Sequence, residues 1–238
     1  MKKTIVAVIA VFSIFLFTSC EKVVGKGPVE TETRALSDFT GVSSAFSGKV
    51  NIQIGNSFQV DVSAQSAVLD VLRTTVSGGV LYIDYKNNVY VRTSEKVLVS
   101  ITMPLLDYLR LSGSGDINVT GEASGSSFNA QVSGSGSISL QKLETSGTLD
   151  ARISGSGNMN IYNGSAAHEK LQVSGSGGIN FAGLTATTAE AHISGSGNIR
   201  LKAEQSLDAH ISGSGSIYYA GNPQVSYQIS GSGKVKPI

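Results

Sequence analysis

The tetrapeptide Ser-Gly-Ser-Gly recurs seven times in this 238-residue chain, and its spacing constrains the fold more than any other feature. The copies begin at Ser112, Ser133, Ser154, Ser174, Ser194, Ser212 and Ser230. Successive copies are 18 to 21 residues apart. Self-similarity at such a period is typical of solenoids, in which each repeat buries its apolar face only by stacking on its neighbours.

Apolar residues flank each copy in a fixed register. Around the third copy, Leu149, Ala151 and Ile153 precede the motif at alternating positions, and Met159 and Ile161 follow it. A period of two indicates β-strands, and this half of the chain has no sustained helical period. We therefore predict an all-β fold in which residues 111–238 form a parallel β-helix, or β-solenoid, with coils of about 20 residues. The usual chirality of parallel crossover connections predicts a right-handed coil.

The motif glycines share the parity of the apolar residues, and two explanations for them are open. One is that the wall of the coil bends at the motif and leaves no room for an inward Cβ. The other is that a neighbouring backbone approaches closely there. Under either explanation the motif serines point outward.

Three other interpretations of the repeat are disfavoured. A flexible Gly/Ser linker would not keep its aliphatic flanks in register through seven copies. A phosphate-binding loop would require a helix after the glycines, and none is indicated. A calcium-binding β-roll requires an Asp after the glycines in successive repeats, but only one carboxylate occurs at that position. The residues there are Asp116, Ser137, Asn158, Gly178, Asn198, Ser216 and Lys234.

The N terminus has the pattern of an export signal. Lys2 and Lys3 precede an apolar run over residues 5–17, and small residues then lead to Cys20, the only cysteine. The run is shorter than the roughly 20 residues that span a bilayer. It resembles a bacterial lipoprotein signal, with Phe17 where Leu is commonest, and predicts a signal peptide over residues 1–19 with lipidation of Cys20. Acyl chains on Cys20 would anchor the protein to the membrane, and one cysteine allows no disulfide framework.

Two further regions precede the repeats. Residues 20–35 lack apolar periodicity, so we expect the lipidated cysteine to be followed by a flexible tether. Residues 36–110 contain alternating runs such as Val50, Ile52 and Ile54, which predict irregular β structure. We expect this N-terminal β region to start and cap the solenoid, because an open solenoid end exposes unpaired backbone.

The charge balance excludes one class of partner. The chain has 18 basic and 17 acidic side chains, and two of the lysines lie in the predicted signal peptide. A nearly neutral mature protein has no basic footprint for nucleic acid. We expect no nucleic-acid partner and no cofactor.

Several segments together resemble a known family. The segment Ser37-Asp38-Phe39-Thr40-Gly41-Val42, the strand ending at Pro104, and the entry of Leu111 into the Gly-rich repeats are similar to the head GIN domain of autotransporter adhesins (DUF2807). The family is common among lipoproteins of Bacteroidetes. The resemblance covers roughly residues 36 to 230 and implies a β-helical protein of the cell envelope, for which adhesion is the role inferred within the family. Together with the lipidation of Cys20 it predicts a protein anchored to the outer membrane, on either its periplasmic or its exposed side. The family pattern offers no catalytic or ligand-binding residues to carry over.

One column of side chains is the candidate ligand-facing surface. Seven polar residues each stand directly before the aliphatic residue that introduces the motif, so they should form one outward column: Arg110, Gln131, Arg152, Gln172, His192, His210 and Gln228. Stacked side chains in this column would be one strand spacing apart, about 4.8 Å. His192 and His210 could contact one metal ion, but no cysteine or carboxylate column completes a shell, so we expect no metal site.

Two classes of function are compatible with these features. The preferred one is a lipid-anchored, non-catalytic adhesin or scaffold of the cell envelope that binds a glycan or protein on the outward column. The alternative is a polysaccharide-processing enzyme on a β-helix scaffold, which would need carboxylates clustered on one wall. Asp150, Glu190 and Asp208 share a repeat position, but the other coils have no carboxylate there. We therefore expect no catalytic residues. The oligomeric state is left open.

Replacing Cys20 tests the anchoring hypothesis. In the Cys20→Ser variant the precursor should incorporate no lipid, because the thiol is the acylation site. Metabolic labelling of the full-length protein with a radioactive fatty acid measures the difference from the wild type. Labelling at the wild-type level would contradict the assignment.

Overall fold

The computed structural model of the chain describes residues 21–238. The predicted signal peptide and Cys20 lie outside the described residues. Within residues 21–238, no helix is long and apolar enough to cross a membrane.

The described residues form strands almost throughout, with one short helix. The first strands are β1 Glu21–Val24, β2 Val29–Arg34, β3 Gly41–Ser44, β4 Lys49–Ile54 and β5 Gln59–Gln65, followed by α1 Ser66–Leu69. Next come β6 Leu72–Ser77, β7 Val80–Tyr85, β8 Val89–Arg92, β9 Leu98–Met103 and β10 Tyr108–Gly113. The repeats contain β11 Asp116–Gly134, β12 Ser137–Gly155, β13 Asn158–Ile161, β14 Gly164–Gly175, β15 Gly178–Gly195, β16 Asn198–Gly213, β17 Ser216–Ala220, β18 Gln224–Gly231 and β19 Lys234–Pro237.

The repeat strands stack in parallel as a β-solenoid, which confirms the predicted fold class. Between β11 and β12, register shifts at Val119/Glu122 and Gly125/Ser127 divide the coil into three stretches. We call the stacked equivalents of residues 116–119 the first wall, those of 122–125 the second wall and those of 127–134 the third wall. The Ser-Gly-Ser-Gly motif turns the chain from the third wall of one coil into the first wall of the next.

The core fills the space between the walls with the predicted alternating residues. Leu149, Ala151, Ile153, Met159 and Ile161 are all buried. Their outward neighbours are exposed or half-buried. Each coil therefore buries apolar surface against the coils on either side, as the repeat period requires.

The two glycines of each motif have different roles, which corrects the prediction that both point inward. Gly155 is half-buried, has a φ of +122°, and a Cβ on it would lie 2.5 Å from the carbonyl oxygen of Gly134 in the preceding coil. Gly157 is buried, and its Cβ would lie 2.5 Å from both Val132 Cγ1 and the carbonyl oxygen of Gly136. Close approach of a neighbouring backbone therefore applies to both glycines, and left-handed φ adds to it at the first. Only the second glycine faces the core.

The N-terminal region continues the stack upstream. β3 pairs in parallel with β10 and β7, and β4 pairs in parallel with β11 and β9. β5 then adds to β9, and β6 to β7, as antiparallel strands. Val68 and Leu69 of α1 are buried among the core residues at this end.

The flexible tether expected at residues 20–35 is not what the structure shows. β1 pairs in parallel with β8, and β2 pairs antiparallel with β5. Side-chain hydrogen bonds support the second pairing, because the Thr33 hydroxyl donates to Asp61 and the Thr31 hydroxyl bonds to Ser63. β2 has only exposed or half-buried residues. The alternating Thr and Glu therefore form a strand without the apolar signal by which strands are recognised.

One buried acid interrupts the apolar core. Glu169 of β14 is 1% exposed and is paired in register with Leu149 and Ala189. In the described part of the chain neither of its carboxylate oxygens has a hydrogen-bond partner. Burial raises the pKa of the Glu169 carboxyl well above its ordinary value, because the ionised form loses its hydration.

A methyl group at the first motif glycine tests the backbone contact. Gly155→Ala should destabilise the protein by about 1–3 kcal/mol, through left-handed strain and the clash with the Gly134 carbonyl. Ser156→Ala, at the exposed neighbouring position, should change the stability by less than about 0.5 kcal/mol. Denaturant unfolding measures both values, and equal losses would contradict the assigned roles.

The buried acid predicts a pH dependence of stability. The unfolded chain loses the Glu169 proton at about pH 4.3, whereas the folded chain keeps it to higher pH. Between these two pKa values the folded state binds more protons, so this group lowers stability as pH rises. Glu169→Leu should therefore stabilise the protein at pH 8 by about 1–3 kcal/mol, the cost of an unsatisfied buried polar group.

The control for this variant is the exposed Glu204, whose change to Gln should leave the pH profile of unfolding as in the wild type. The gain from Glu169→Leu should shrink towards pH 4. A gain that is the same at both pH values would show that packing alone, and not ionisation, separates the variant from the wild type.

Candidate functional site

The seven residues of the predicted outward column lie in register on the third wall. Consecutive strand pairs align them in one unbroken series: Arg110, Gln131, Arg152, Gln172, His192, His210 and Gln228. Each is exposed or half-buried, whereas the aliphatic residue that follows it, such as Ile153, faces the core. We call this series the central column. The sequence therefore predicted its register and its outward direction.

Two further columns flank the central column on the same wall. Two residues earlier in each coil are Tyr108, Asn129, Asp150, Lys170, Glu190, Asp208 and Ser226. Two residues later are the first serines of the motifs, from Ser112 to Ser230. The third wall thus presents three outward columns of hydroxyl, amide, imidazole and charged groups.

The charged groups of this wall neutralise one another. Arg152 donates two hydrogen bonds to the carboxylate of Asp150, both of 2.8 Å. Lys170 Nζ lies 3.9 Å from a carboxylate oxygen of Glu190. Asp150 and Glu190 therefore each have a basic partner. The three acids of the flanking column are matched in number by Arg110, Arg152 and Lys170, so the wall presents little net charge to a ligand.

The two histidines of the central column stack on each other. The ring centroids of His192 and His210 are 4.7 Å apart, and the ring planes differ by 4°. His210 Nε2 lies 3.2 Å from Asp208 Oδ1. Parallel rings do not converge on a single ion, and within residues 21–238 no three His, Cys, Asp or Glu side chains form a group able to hold a metal.

Two of the three carboxylates that we considered for catalysis are neighbours on this wall. Glu190 and Asp208 are paired in register, Lys170 separates Asp150 from Glu190, and Asp208 also lies 3.2 Å from His210. Glycosidic hydrolysis uses two carboxyl groups on opposite sides of the scissile bond. Glu190 and Asp208 point outward side by side and not from opposite sides of a ligand.

A shallow groove runs along the C-terminal part of the third wall. It has a volume of about 600 Å³ and is lined by residues of the central column, from Gln172 to Gln228, and by Ser194, Ser212 and Ser230. The aliphatic residues Ile193, Ile211 and Ile229 contribute to its floor. A ligand in this groove would contact up to four successive coils.

Sequence reasoning missed several other concave surfaces, and two of them differ in how far the sequence indicates them. One, of about 670 Å³, lies near the N-terminal end between β8 and the turn before β4, with Tyr90, Arg92 and Lys49 among its lining residues. Segments that are distant in sequence form this surface, so no local sequence pattern predicts it. The other is a notch of about 270 Å³ at Gly178 on the first wall. Its signal was in the sequence, because Gly178 is the only residue without a side chain at that repeat position.

A protein-family comparison matches most of the chain. The model described as "putative auto-transporter adhesin, head GIN domain" (DUF2807) matches residues 38–223. This confirms the resemblance inferred from the motifs. A search of curated proteins found no match.

Solved structures share the fold over nearly the whole length. A putative adhesin from Bacteroides fragilis is 24% identical, covers 91% of this chain and 100% of its own, and superposes with a TM-score of 0.85. A putative lipid binding protein from Parabacteroides distasonis is 25% identical, with coverages of 92% and 100% and a TM-score of 0.77. A putative adhesin from Parabacteroides merdae is 22% identical, with coverages of 92% and 99% and a TM-score of 0.75.

Proposed function

This chain belongs to the family of auto-transporter adhesin head GIN domains, and on that premise we propose that it is a lipid-anchored, non-catalytic binding module of the cell envelope. In this proposal the acylated Cys20 holds the solenoid at the outer membrane. The third wall binds an extended glycan.

The observation that supports the binding role is the continuous register of the central column. Seven polar side chains repeat at the strand spacing on a rigid backbone, and a groove of about 600 Å³ follows four of them. Each hydrogen bond to such a side chain contributes only about 1 kcal/mol. Repetition along one ligand converts several weak contacts into useful affinity.

A glycan fits this wall better than an added protein strand. A peptide that extends a sheet needs a free strand edge. Most third-wall strands are paired on both sides, as β14 is with β12 and β15, and among the described residues β18 of the last coil, which pairs with β16 alone, leaves an edge open. Along the rest of the wall only side chains are available for hydrogen bonding. Regularly spaced sugar hydroxyls match a neutral surface of hydroxyl, amide and imidazole groups.

Removing two residues of the central column tests the proposal. Arg152→Ala combined with His192→Ala should lower retention on the bound polysaccharide about 10- to 30-fold, because about 2 kcal/mol of hydrogen bonding is lost. The measurement is affinity electrophoresis or pull-down of the full-length protein, in a sugar-free detergent, on a panel of bacterial, plant and host polysaccharides. Asn118→Ala with Ser139→Ala, on the first wall, is the matched control and should bind as the wild type does.

Two results would contradict the proposal. Unchanged retention of the Arg152/His192 variant on every polysaccharide that the wild type binds would exclude the third wall. The enzyme alternative is tested on the same panel by assaying for new reducing ends or unsaturated sugars. If an activity that degrades one of these polysaccharides co-purifies with the protein, the role is catalytic and the proposal is wrong.

A further inference from the structure

The notch on the first wall lies at a break in a column of side chains. Strand pairing aligns Asn158 of β13, Gly178 of β15 and Asn198 of β16 in one outward column. Gly178 leaves a gap between the two amides, and the gap opens into the cavity of about 270 Å³. The notch is on a different wall from the central column and shares no residue with it.

The backbone does not require a glycine at this position. The motif glycines have positive φ or stand against the carbonyl oxygen of the preceding coil, but Gly178 has neither feature. A Cβ on Gly178 would lie 3.1 Å from the Asn158 side-chain oxygen and 3.8 Å from the nearest backbone atom. A flexible amide can move by the small distance needed. The backbone therefore does not explain the glycine, and its consequence is the open space beside Asn158 and Asn198.

The walls of the notch carry a dense set of hydrogen-bonding groups. Beside the broken column, Asn160 and Asn180 align in register, and Arg200 follows them. Each of the four amides at the notch offers two donors and an acceptor, and the guanidinium offers five donors. Such a mixture suits a ligand with several hydroxyl groups around one ring.

The electrostatics of the notch favour an anion. Arg200 is the one charged residue among the described residues that line it, and its guanidinium lies over the Tyr218 ring, 5.1 Å from the ring centroid. Further along the same columns, Lys234 and Lys236 add two positive charges towards the C-terminal end, and Asp116 adds one negative charge towards the N-terminal end. A guanidinium held by an aromatic ring can bind a carboxylate through two parallel hydrogen bonds.

The size of the notch limits the ligand to one small unit. Its volume lies just below the range of about 300–1,000 Å³ that is usual for small-molecule pockets. We propose that the notch at Gly178 binds a single carboxylated sugar residue, with the carboxylate on Arg200 and the ring hydroxyls on the asparagine amides.

Filling the notch is the direct test. Gly178→Asn completes the column with the residue type of its neighbours, and Arg200→Gln removes the charge. Binding of glucuronate, galacturonate and N-acetylneuraminate to the full-length protein is measured by saturation-transfer NMR in a sugar-free detergent. At least one of these sugars should bind to the wild type, and both variants should weaken it at least tenfold.

Three controls make the outcome specific. Ser216→Asn enlarges a side chain in the same column beyond the notch and should bind as the wild type does. Glucose and galactose, the neutral counterparts, should bind at least tenfold more weakly than the carboxylated sugars. The Arg152/His192 variant should still bind the carboxylated sugar. The proposal for the notch and the proposal for the third wall are therefore tested independently. Circular dichroism and thermal unfolding verify that each variant is folded.

Any of three results would overturn the proposal. The first is that none of the three carboxylated sugars binds to the wild type. The second is wild-type binding by folded Arg200→Gln and Gly178→Asn proteins. The third is equal binding of the neutral sugars, which would remove the role of the charge.

Discussion

The hydrogen-bonded stack of the Ser-Gly-Ser-Gly turns is the constraint on which the rest of the structure depends. The carbonyl oxygen of Gly134 accepts one hydrogen bond of 2.9 Å from the amide of Ser156 and another of 3.0 Å from the amide of Gly157. The same pair of bonds recurs between successive motifs along the solenoid. A carbonyl can approach the next coil this closely only where the residue stacked on it lacks a Cβ. This contact also fixes the register of the adjoining walls, since a slip of one residue would turn every core side chain outward.

A fixed register determines what kind of surface the protein can offer. Equivalent residues of successive coils stand one strand spacing apart and point in the same direction, as the stacked rings of His192 and His210 show. Parallel columns are suited to repeated contacts along an extended ligand. They are poorly suited to metal binding, which needs several ligands that converge on one ion. The paired charges of the third wall, such as Arg152 with Asp150, further direct it towards neutral hydrogen-bonding partners.

The informative positions are those at which the chain departs from its own repeat. Glu169 stands in a core column between Leu149 and Ala189, and the ionised form of its buried carboxyl is costly. Gly178 stands in an outward column between two asparagines without a backbone reason for a glycine. Natural sequences that break a local rule usually do so at functional or strained positions. In this protein the first departure predicts a pH-dependent loss of stability, and the second creates a cavity.

The sequence by itself determined the repeat, the alternation of apolar residues and therefore the solenoid, its core and the alignment of the central column. These features follow from short-range periodicity, which is visible in one chain because each coil repeats the same local pattern. Only the tertiary structure decided the rest. It placed β2 in a sheet although its Thr and Glu residues carry no apolar signal, because the partner strand β5 supplies the hydrogen bonds. It separated the roles of the two motif glycines, and it showed that the break in the repeat at Gly178 opens into a cavity, because both depend on atoms of a neighbouring coil about twenty residues away in sequence. The distances between coils depend on how the coils stack, so no local sequence pattern predicts them.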